Sequence, residues 1–491
     1  MAFGPPPPPL PESTPTAVTG ARKRRRTVLV GVLGISLAAG LAGGGWLLLR
    51  DEDTAAHAQG KPSPTAPQAP DDIRQNVEKR PASVDGQLTF GVEVPKVPVG
   101  AVLPAPGAWV SEKIYAKGQD SAVVGYATDT SEPAWTLELP GQLCAAAKHI
   151  TVDGRTAVVS EDGKRAGPNR PRACSILTVF DVDTGRQVFR KTMPDAQVAT
   201  QLTADVAITR GVVASAWGDG SVAYDLDTGK QVWKSRATSQ CRDTGFGGGR
   251  ELLAVVECGD ENREFRVQRI DARTGEPQWT YKVDSGIQRV SVLSSDPPVI
   301  GITAGDVLET DVITLDDQGR HQARIALKDN HYQPNCNNDT TDGVESCRTA
   351  VVSEDRLYLP TEERYEAGEP ANEIVAFSLT TGKAVQKFDG RPGLMIWPLR
   401  MSGDRLIAYR QGGGWTNGAV LSLDPATGKQ SIWLVVPVPE GINGLMRPKE
   451  TQVIFERGRL YFAATGILGP DKEGEEYALE DNPLTVGFQG M

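Results

Sequence analysis

Residues 222–236 read VAYDLDTGKQVWKSR, and the same pattern recurs at 177–191 (LTVFDVDTGRQVFRK) and 268–282 (QRIDARTGEPQWTYK). In each copy apolar and polar residues alternate on both sides of Asp-x-x-Thr-Gly, a pattern typical of two β-strands joined by a tight turn. Weaker copies occupy 123–137, 312–325, 375–388 and 420–434, so the turn recurs at steps of 44 to 63 residues. A period in the mid-forties, with insertions in some units, predicts the blades of a β-propeller.

The turn residues have two separate roles. An aspartate that begins the turn can accept hydrogen bonds from backbone N–H groups inside it, and a glycine that ends the turn can adopt a positive φ. These positions are Asp181, Gly185, Asp225, Gly229, Asp271, Gly275, Asp424 and Gly428. The first copy has Ser131 where the glycine is expected.

An aromatic residue follows most of these turns. The positions are Trp135, Phe189, Trp233, Trp279 and, one residue later in its unit, Trp433. Because a large aromatic side chain gains most from burial, we expect this series to pack between neighbouring blades. Stacking on a sugar or another ligand is the alternative.

The blade count follows from the strands that precede the turns. Eight short apolar segments lie upstream of the turns, against seven recognisable turns. The eighth unit can end with 484–488 (LTVGF) and take a strand from 88–94 (LTFGVEV), which would close the ring and remove exposed sheet edges. The sequence therefore predicts an all-β, eight-bladed β-propeller, with seven blades as the alternative.

The N-terminal part predicts a membrane anchor. Residues 27–49 carry no charge for 23 positions, long enough for one transmembrane helix, and Arg22–Arg26 precede them. The positive-inside rule then places the Pro-rich tail 1–26 in the cytoplasm, and 50–86 become an extracytoplasmic Pro/Ala-rich linker to a propeller at 87–491. A signal peptide cleaved after Ala58 is the alternative.

The repeat resembles the pyrroloquinoline-quinone (PQQ)-like, quinoprotein-type β-propeller repeat on the residues AYDLDTGKQVWKS (223–235) and their relatives. The N-terminal plan resembles the membrane-anchored actinobacterial members. The resemblance implies the fold, since this motif builds blades and does not itself bind quinone. Quinoprotein enzymes of the family use two adjacent cysteines, a Ca²⁺ ligand set and a catalytic aspartate. This sequence has no adjacent cysteines, so no cofactor is expected.

Six cysteines lie beyond the predicted anchor. Fifteen pairings are possible, and the spacing favours neighbours in the sequence: Cys144 with Cys174, Cys241 with Cys258, and Cys336 with Cys347. Structural disulfides fit an extracytoplasmic location, and the spacings match no zinc site. A Ca²⁺ site formed by Asp339, Asp342 and Glu345 is a weaker hypothesis, and we expect no metal site.

Composition and the absence of known motifs reduce the number of possible function classes. The net charge is −10, and because residues 1–50 are basic, the remainder carries −15, which argues against nucleic acid as a partner. No motif of a hydrolase, kinase or nucleotide-binding site occurs, so no catalytic residue is assigned. The sequence predicts a non-catalytic module that binds an extracytoplasmic protein or cell-envelope ligand, through the insertions 162–173 and 329–348. A PQQ-dependent dehydrogenase and an extracytoplasmic sensor are the alternatives.

Overall fold

The part of the chain that the structure describes contains eight four-stranded antiparallel sheets and two small two-stranded ones. The structure is a computed structural model, and it describes residues 68–491 except for 164–171, 237–239, 260–261, 306–307, 329–330, 337–342, 367, 392, 414–415, 440, 443 and 471–482. The prediction of an all-β, eight-bladed propeller is confirmed, and the seven-blade alternative is wrong.

Two strands precede the first complete blade, namely β1 (Gly86–Val92) and β2 (Val102–Pro104). Blade 1 contains β3 (Ala108–Val110), β4 (Ile114–Gln119), β5 (Ala122–Ala127) and β6 (Pro133–Glu138). Blade 2 contains β7 (Leu143–Ala146), β8 (Arg155–Ser160), β9 (Ile176–Asp181) and β10 (Gln187–Thr192). Blade 3 contains β11 (Asp205–Thr209), β12 (Val212–Ala216), β13 (Gly220–Asp225) and β14 (Gln231–Arg236). Blade 4 contains β15 (Cys241–Gly247), β16 (Leu252–Cys258), β17 (Glu264–Ile270) and β18 (Pro277–Lys282).

The second half continues in the same way. Blade 5 contains β19 (Arg289–Ser295), β20 (Pro298–Thr303), β21 (Asp311–Leu315) and β22 (His321–Ala326). Blade 6 contains β23 (Val351–Val352), β24 (Arg356–Pro360), β27 (Glu373–Ser378) and β28 (Ala384–Asp389), with the hairpin β25 (Arg364–Glu366) and β26 (Glu369–Ala371) inserted between β24 and β27. Blade 7 contains β29 (Ile396–Ser402), β30 (Arg405–Arg410), β31 (Gly418–Leu423) and β32 (Gln430–Val436). Blade 8 contains β33 (Gln452–Glu456), β34 (Arg459–Ala463), β36 (Thr485–Gly490) and β1, and β35 (Gly466–Leu468) lies between β34 and β36 and pairs with β2.

The first strand of each blade lies innermost. The first strands of blades 2 to 8 contact one another in succession, and that of blade 8 contacts that of blade 1, whereas fourth strands such as β18 expose much of their surface. Because the strands of each blade are antiparallel, the connections between strands one and two and between three and four share one face, which we call the turn face. The connections between strands two and three and between blades share the opposite face, which we call the insertion face.

The ring closes through blade 8, where the two ends of the propeller meet. The C-terminal strand β36 pairs with β34 on one side and with β1 on the other, in a register that runs from Gly86 opposite Gly490 to Val92 opposite Thr485. Sequence reasoning predicted this closure from the same two segments. The borrowed strand leaves no unpaired edge between the first and last blades.

An aromatic cluster packs across the seam between blades 8 and 1. The Phe90 ring of β1 lies 5.1 Å from the Tyr115 ring and 5.3 Å from the Tyr461 ring, both in edge-to-face geometry. The Tyr115 hydroxyl hydrogen-bonds to the Thr485 hydroxyl at 2.9 Å. All of these side chains are buried. The seam therefore has a hydrophobic core of its own that includes both ends of the propeller.

The turns between third and fourth strands have the geometry expected from the motif. In blade 3 the Asp225 carboxylate accepts hydrogen bonds from the backbone N–H and the hydroxyl of Thr228, at 2.9 and 2.7 Å. Gly229 follows with φ +64° and donates its N–H to the Asp225 carbonyl. The turns that begin at Asp181, Asp271 and Asp424 have the same glycine-to-aspartate bond, and Ser131 adopts φ +61° in blade 1.

The aromatic series lies between blades. The side chains of Trp135, Phe189 and Trp233 each lie against the turn glycine of the next blade, respectively Gly185, Gly229 and Gly275. Trp279 lies in the same way on Gly319, and the Trp233 indole N–H also donates to the Ala272 carbonyl at 2.9 Å. Trp433 packs against Phe455 of blade 8. The turn glycine thus leaves room for the aromatic ring of the preceding blade.

Three disulfides join the cysteine pairs favoured by the spacing. Cys144–Cys174 ties β7 to the residues before β9, and Cys241–Cys258 joins the first two strands of blade 4. Cys336–Cys347 closes a loop between blades 5 and 6. The prediction of disulfide bonds is confirmed.

Gly185→Ala tests the contact between blades. A methyl group at this position would overlap the Trp135 indole, whereas one at Gly286, which also has a positive φ, would meet no atom within 4 Å. We expect Gly286→Ala to cost about 1–2 kcal/mol for backbone strain alone. Gly185→Ala adds roughly 1–3 kcal/mol of overpacking, measured as the free energy of unfolding in urea. Equal losses in the two variants would contradict packing of Trp135 on Gly185.

Candidate functional site: the insertion face and the plugged channel

The insertion face carries most of the large apolar side chains that are exposed to solvent. Among the described residues, twelve large hydrophobic side chains are exposed, and seven of them lie on the connections of this face. They are Val99, Val102, Val198, Leu202, Leu308, Tyr365 and Leu468. Of the remaining five, Val77 lies over the turn face, three lie on fourth strands and one is the terminal Met491. The exposed apolar surface is therefore strongly biased to one face.

The ribbon of β2 and β35 forms one apolar part of this face. Val102 is directly opposite Leu468, and the two side chains are 72% and 56% exposed. Residues 97–107 and 464–470 contain no charged residue. A two-stranded ribbon that exposes apolar residues without neighbouring charges favours a contact with another macromolecule.

The hairpin of β25 and β26 forms a second, acidic part. Tyr365 at its centre is 71% exposed, and Glu366 lies directly opposite Glu369 in the register. The Arg364 guanidinium lies 2.7 Å from the Glu366 carboxylate and offsets part of this repulsion. Exposed Tyr and Arg are the residue types enriched where proteins bind one another.

A short 3₁₀ turn, Gly343–Glu345, enters the central channel, and we call it the plug. It contacts the innermost strands of three successive blades, β11, β15 and β19. The Val344 side chain joins the hydrophobic cluster of blades 4 and 5. The plug belongs to the loop closed by Cys336–Cys347, so the insertion that sequence reasoning assigned to recognition places this described part inside the propeller.

Asp205 holds the plug to the channel wall. One oxygen of its buried carboxylate accepts the Val344 N–H and the other accepts the Phe246 N–H, both at 3.0 Å. Gly343 adopts φ +57° and passes so close to this carboxylate that a side chain there would overlap it. Asp205 therefore joins blade 3, blade 4 and the plug.

Glu345 fixes the other end of the plug. Its carboxylate lies 3.3 Å from the His149 ring nitrogen Nε2, in the connection between β7 and β8. Burial opposes ionisation of Glu345, but His149, Lys148 and the Gly248 N–H outweigh it and hold its pKa below the ordinary value. The plug thus spans from Asp205, at the start of β11, to the turn-face connections of blades 2 and 4.

Burial, with a smaller contribution from the negative Glu345, raises the pKa of Asp205 to about 7 against the opposing effect of the two N–H donors. A carboxyl group whose pKa is raised on folding contributes stability below its unfolded pKa. That contribution is lost as the pH rises through its folded pKa. The propeller is accordingly expected to lose stability between pH 5 and pH 8.

Residues 68–85 form a strap over the turn face, although sequence reasoning placed them in the linker. Ile73 is buried and forms a β-bridge with Thr151 of blade 2. Further along the strap, the Glu78 carboxylate accepts hydrogen bonds from the backbone N–H groups of Arg457 and Gly458, at 2.9 and 3.0 Å. Burial raises the pKa of Glu78, against these donors. The strap passes over blades 3, 2, 1, 8 and 7 in succession. A cavity of about 460 Å³ lies between the second half of the strap and blade 8.

The residues present do not match the quinoprotein set that the repeat resemblance implies. All six cysteines are joined in disulfides between residues at least 11 positions apart. No group of three or more potential metal ligands occurs in the described parts of the chain. Of the calcium hypothesis only Glu345 is described, and its carboxylate is bound to His149, while Asp339 and Asp342 lie outside the described residues.

The sequence did not identify the strap, the plug or Asp205 as related features. Asp205 and Val344 are 139 positions apart, and nothing in their local sequence indicates that they meet. The one local signal is Gly343 beside Val344 inside a cysteine-bounded loop, which fits a tight turn with one apolar side chain. The exposed apolar residues of the insertion face lie in irregular connections, where sequence periodicity gives no indication of exposure.

Asp205→Asn is expected to flatten the pH dependence of stability. The unmodified chain should lose roughly 2–3 kcal/mol of unfolding free energy between pH 5 and pH 8, because a carboxyl that titrates near 7 must ionise in a buried site. The amide cannot ionise, so its curve should lack this slope even if its overall stability is lower. Urea unfolding at several pH values measures both, and parallel curves for the two proteins would contradict the prediction.

No helix in the described part of the chain is long and apolar enough to cross a membrane, and the predicted span 27–49 lies outside that part.

A PQQ-type family model described as outer membrane protein assembly factor BamB matches residues 173–358, from blade 2 into blade 6. No curated protein matches the chain. Solved structures that resemble it include BamB from Moraxella catarrhalis, with 12% identity, a TM-score of 0.42, and coverage of 81% of this chain and 100% of that one. The quinohemoprotein alcohol dehydrogenase ADHIIG from Pseudomonas putida HK5 has 11% identity, a TM-score of 0.49, and coverage of 84% and 78%. A europium-containing methanol dehydrogenase has 12% identity, a TM-score of 0.44, and coverage of 82% and 93%.

Proposed function

We propose that this chain is a non-catalytic binding module that presents its insertion face to a protein partner outside the cytoplasm. The observation that carries the proposal is the concentration of exposed apolar side chains on that face. The regular sheets would hold the face rigid, and the connections would supply the contacts. The partial match to an outer membrane protein assembly factor supports a role in contacts with other proteins.

A protein surface fits this face better than a small ligand does. The exposed apolar residues are distributed over connections of blades 1, 2, 5, 6 and 8, with polar residues between them. Small-molecule sites are concave and bury most of their ligand, whereas protein interfaces combine separate apolar residues with a polar surround. The exposed Tyr365 and the apolar pair Val102 and Leu468 are the side chains expected to contribute most.

We also propose that residues 27–49 anchor the module in the cell membrane with the N-terminus in the cytoplasm. Support comes from the 23 uncharged positions and the preceding basic cluster. The strap, which precedes β1 in the chain, lies on the turn face, and the insertion face is opposite it. A partner would then approach from the side away from the strap.

Charge placed on the apolar ribbon is expected to abolish partner binding. A photo-crosslinking residue at Val99 in the full chain, expressed in its own membrane, should give a discrete protein adduct. The double variant Val102→Asp/Leu468→Asp should lose that adduct, because two buried carboxylates without partners each cost at least about 1–3 kcal/mol at an interface. Immunoblotting of the adduct measures the loss.

The matched control is Val385→Asp, whose side chain is 51% exposed on a fourth strand away from this face. It should retain the Val99 adduct. Retention of the adduct in the ribbon variant, or its loss in the Val385 variant, would remove the insertion face as the docking surface.

A chain without residues 1–49 should leave the membrane pellet on alkaline extraction, and its persistence there would contradict the anchor.

The absence of catalysis is tested directly. The purified full chain, incubated with PQQ, Ca²⁺, a redox dye and a panel of alcohols and sugars, is expected to reduce no more dye than the heat-denatured chain. The physical reason is that all six cysteines are joined in disulfides between residues far apart in the sequence, so none forms the adjacent pair that quinoprotein enzymes use. PQQ-dependent dye reduction would replace the binding proposal with the dehydrogenase alternative.

A further inference from the structure

One connection in blade 2 contacts both the strap and the plug. This connection, 147–154, joins β7 to β8 on the turn face. On one side it forms a short ladder with the strap, in which the Arg74 N–H donates to the Ile150 carbonyl and the Val152 N–H donates to the Asp72 carbonyl, both at 2.9 Å. Ile73 lies between these bonds and is buried in the core of blades 2 and 3. The position of the connection therefore depends on the strap.

On its other side the same connection holds the plug. His149 immediately precedes Ile150, and its ring lies 3.3 Å from the Glu345 carboxylate. The His149 carbonyl accepts the Thr156 hydroxyl at 2.9 Å, which fixes the backbone beneath the ring. A shift of Ile150 thus moves the partner of Glu345, because only one peptide bond separates the two contacts.

The plug is in turn connected to the insertion face. The Cys336–Cys347 disulfide closes its loop, and the Thr349 N–H donates to the Pro334 carbonyl at 3.1 Å. The Asn335 side chain donates to the Lys449 carbonyl at 2.6 Å, in the connection between blades 7 and 8. A continuous series of hydrogen bonds and a disulfide therefore runs from the strap, through the channel, to the insertion face.

We propose that docking of the strap and seating of the plug are energetically coupled through residues 149–152, so that the channel links the strap to the insertion face. Displacing the plug removes Glu345 from His149 and leaves the connection 147–154 with one fewer restraint. Displacing the strap frees Ile150 and Val152, which lets His149 move away from Glu345. By linkage, the two effects are equal in free energy. The inference depends on these contacts and not on the proposed function, and it assigns the channel a mechanical role in place of a ligand site.

The test unseats the plug and measures the strap by hydrogen exchange in the full chain. Gly343→Ala places a methyl group against the Asp205 carboxylate at a positive φ, and Glu345→Gln removes the charge with little change of shape. Both variants should accelerate exchange of the Val344 N–H. They should also accelerate exchange of the Arg74 and Val152 N–H groups at least about fivefold, the lower end of typical coupling between sites.

The reciprocal variant is Ile73→Ala, which loosens the strap ladder and should accelerate exchange of the Val344 N–H by a similar factor. The matched control is Glu362→Gln, which removes a second histidine–glutamate pair, His331 with Glu362 at 3.1 Å, on the exposed surface. This control should leave all three amides unchanged. The Gly382 N–H, bonded to the Ser378 carbonyl at 2.8 Å in a turn of blade 6 that the strap does not contact, serves as an internal reference.

Two outcomes would overturn the inference. In the first, the Val344 N–H exchanges faster in the plug variants while Arg74 and Val152 keep the protection of the unmodified chain. In the second, neither plug variant changes exchange at Val344, which would mean that Asp205 and Glu345 do not hold the plug. Faster exchange at all three amides with an unchanged Gly382 N–H supports the coupling, and equal acceleration at Gly382 would mean general loosening and contradict it.

Discussion

The pairing of β1 with β36 is the constraint on which the other blade contacts depend. It joins Gly86 to Gly490, and closing a loop of that length costs roughly 5 kcal/mol of chain entropy, a cost that grows only slowly with length. Without this pairing, blades 1 and 8 would each expose an apolar surface. The buried Phe90 and the tyrosines beside it supply contacts of the kind that offset such a cost, at about 1.5–3 kcal/mol for each fully buried large side chain.

The strap reinforces the same seam from outside the sheets. It contacts blades on both sides of the closure, through Ile73 on blade 2 and Glu78 on blades 7 and 8. Glu78 is a buried carboxylate, which is stable there only because two backbone N–H groups and Arg400 surround it. The segment before β1 is therefore part of the propeller, and the composition that suggested a spacer conceals two buried residues among many exposed ones.

The sequence predicted those features that arise from contacts between near neighbours in the chain. Four of the turns pair an aspartate with a glycine four residues later, as in Asp225 and Gly229, so most of the blades could be recognised from local sequence. The closure was predicted because the chain has eight second strands but only seven turns. The plug could not be predicted, since Asp205, Phe246 and Val344 come from three separate parts of the chain. The strap could not be predicted either, because its partners lie near residues 150, 402 and 457.

The two faces of the propeller differ because their connections have different tasks. In blades 2 to 5 the turn glycine lies against the aromatic ring of the preceding blade, so a side chain at that position would overlap the ring. Connections on the insertion face have no such partner and can lengthen, as the β25–β26 hairpin and the β2–β35 ribbon do. A ligand that entered the channel would have to break the bonds of Val344 with Asp205 and of Glu345 with His149, at about 1–3 kcal/mol for each buried group left unpaired. A partner that binds the rim of the same face leaves those bonds intact, which favours the exposed connections over the channel as the place of contact.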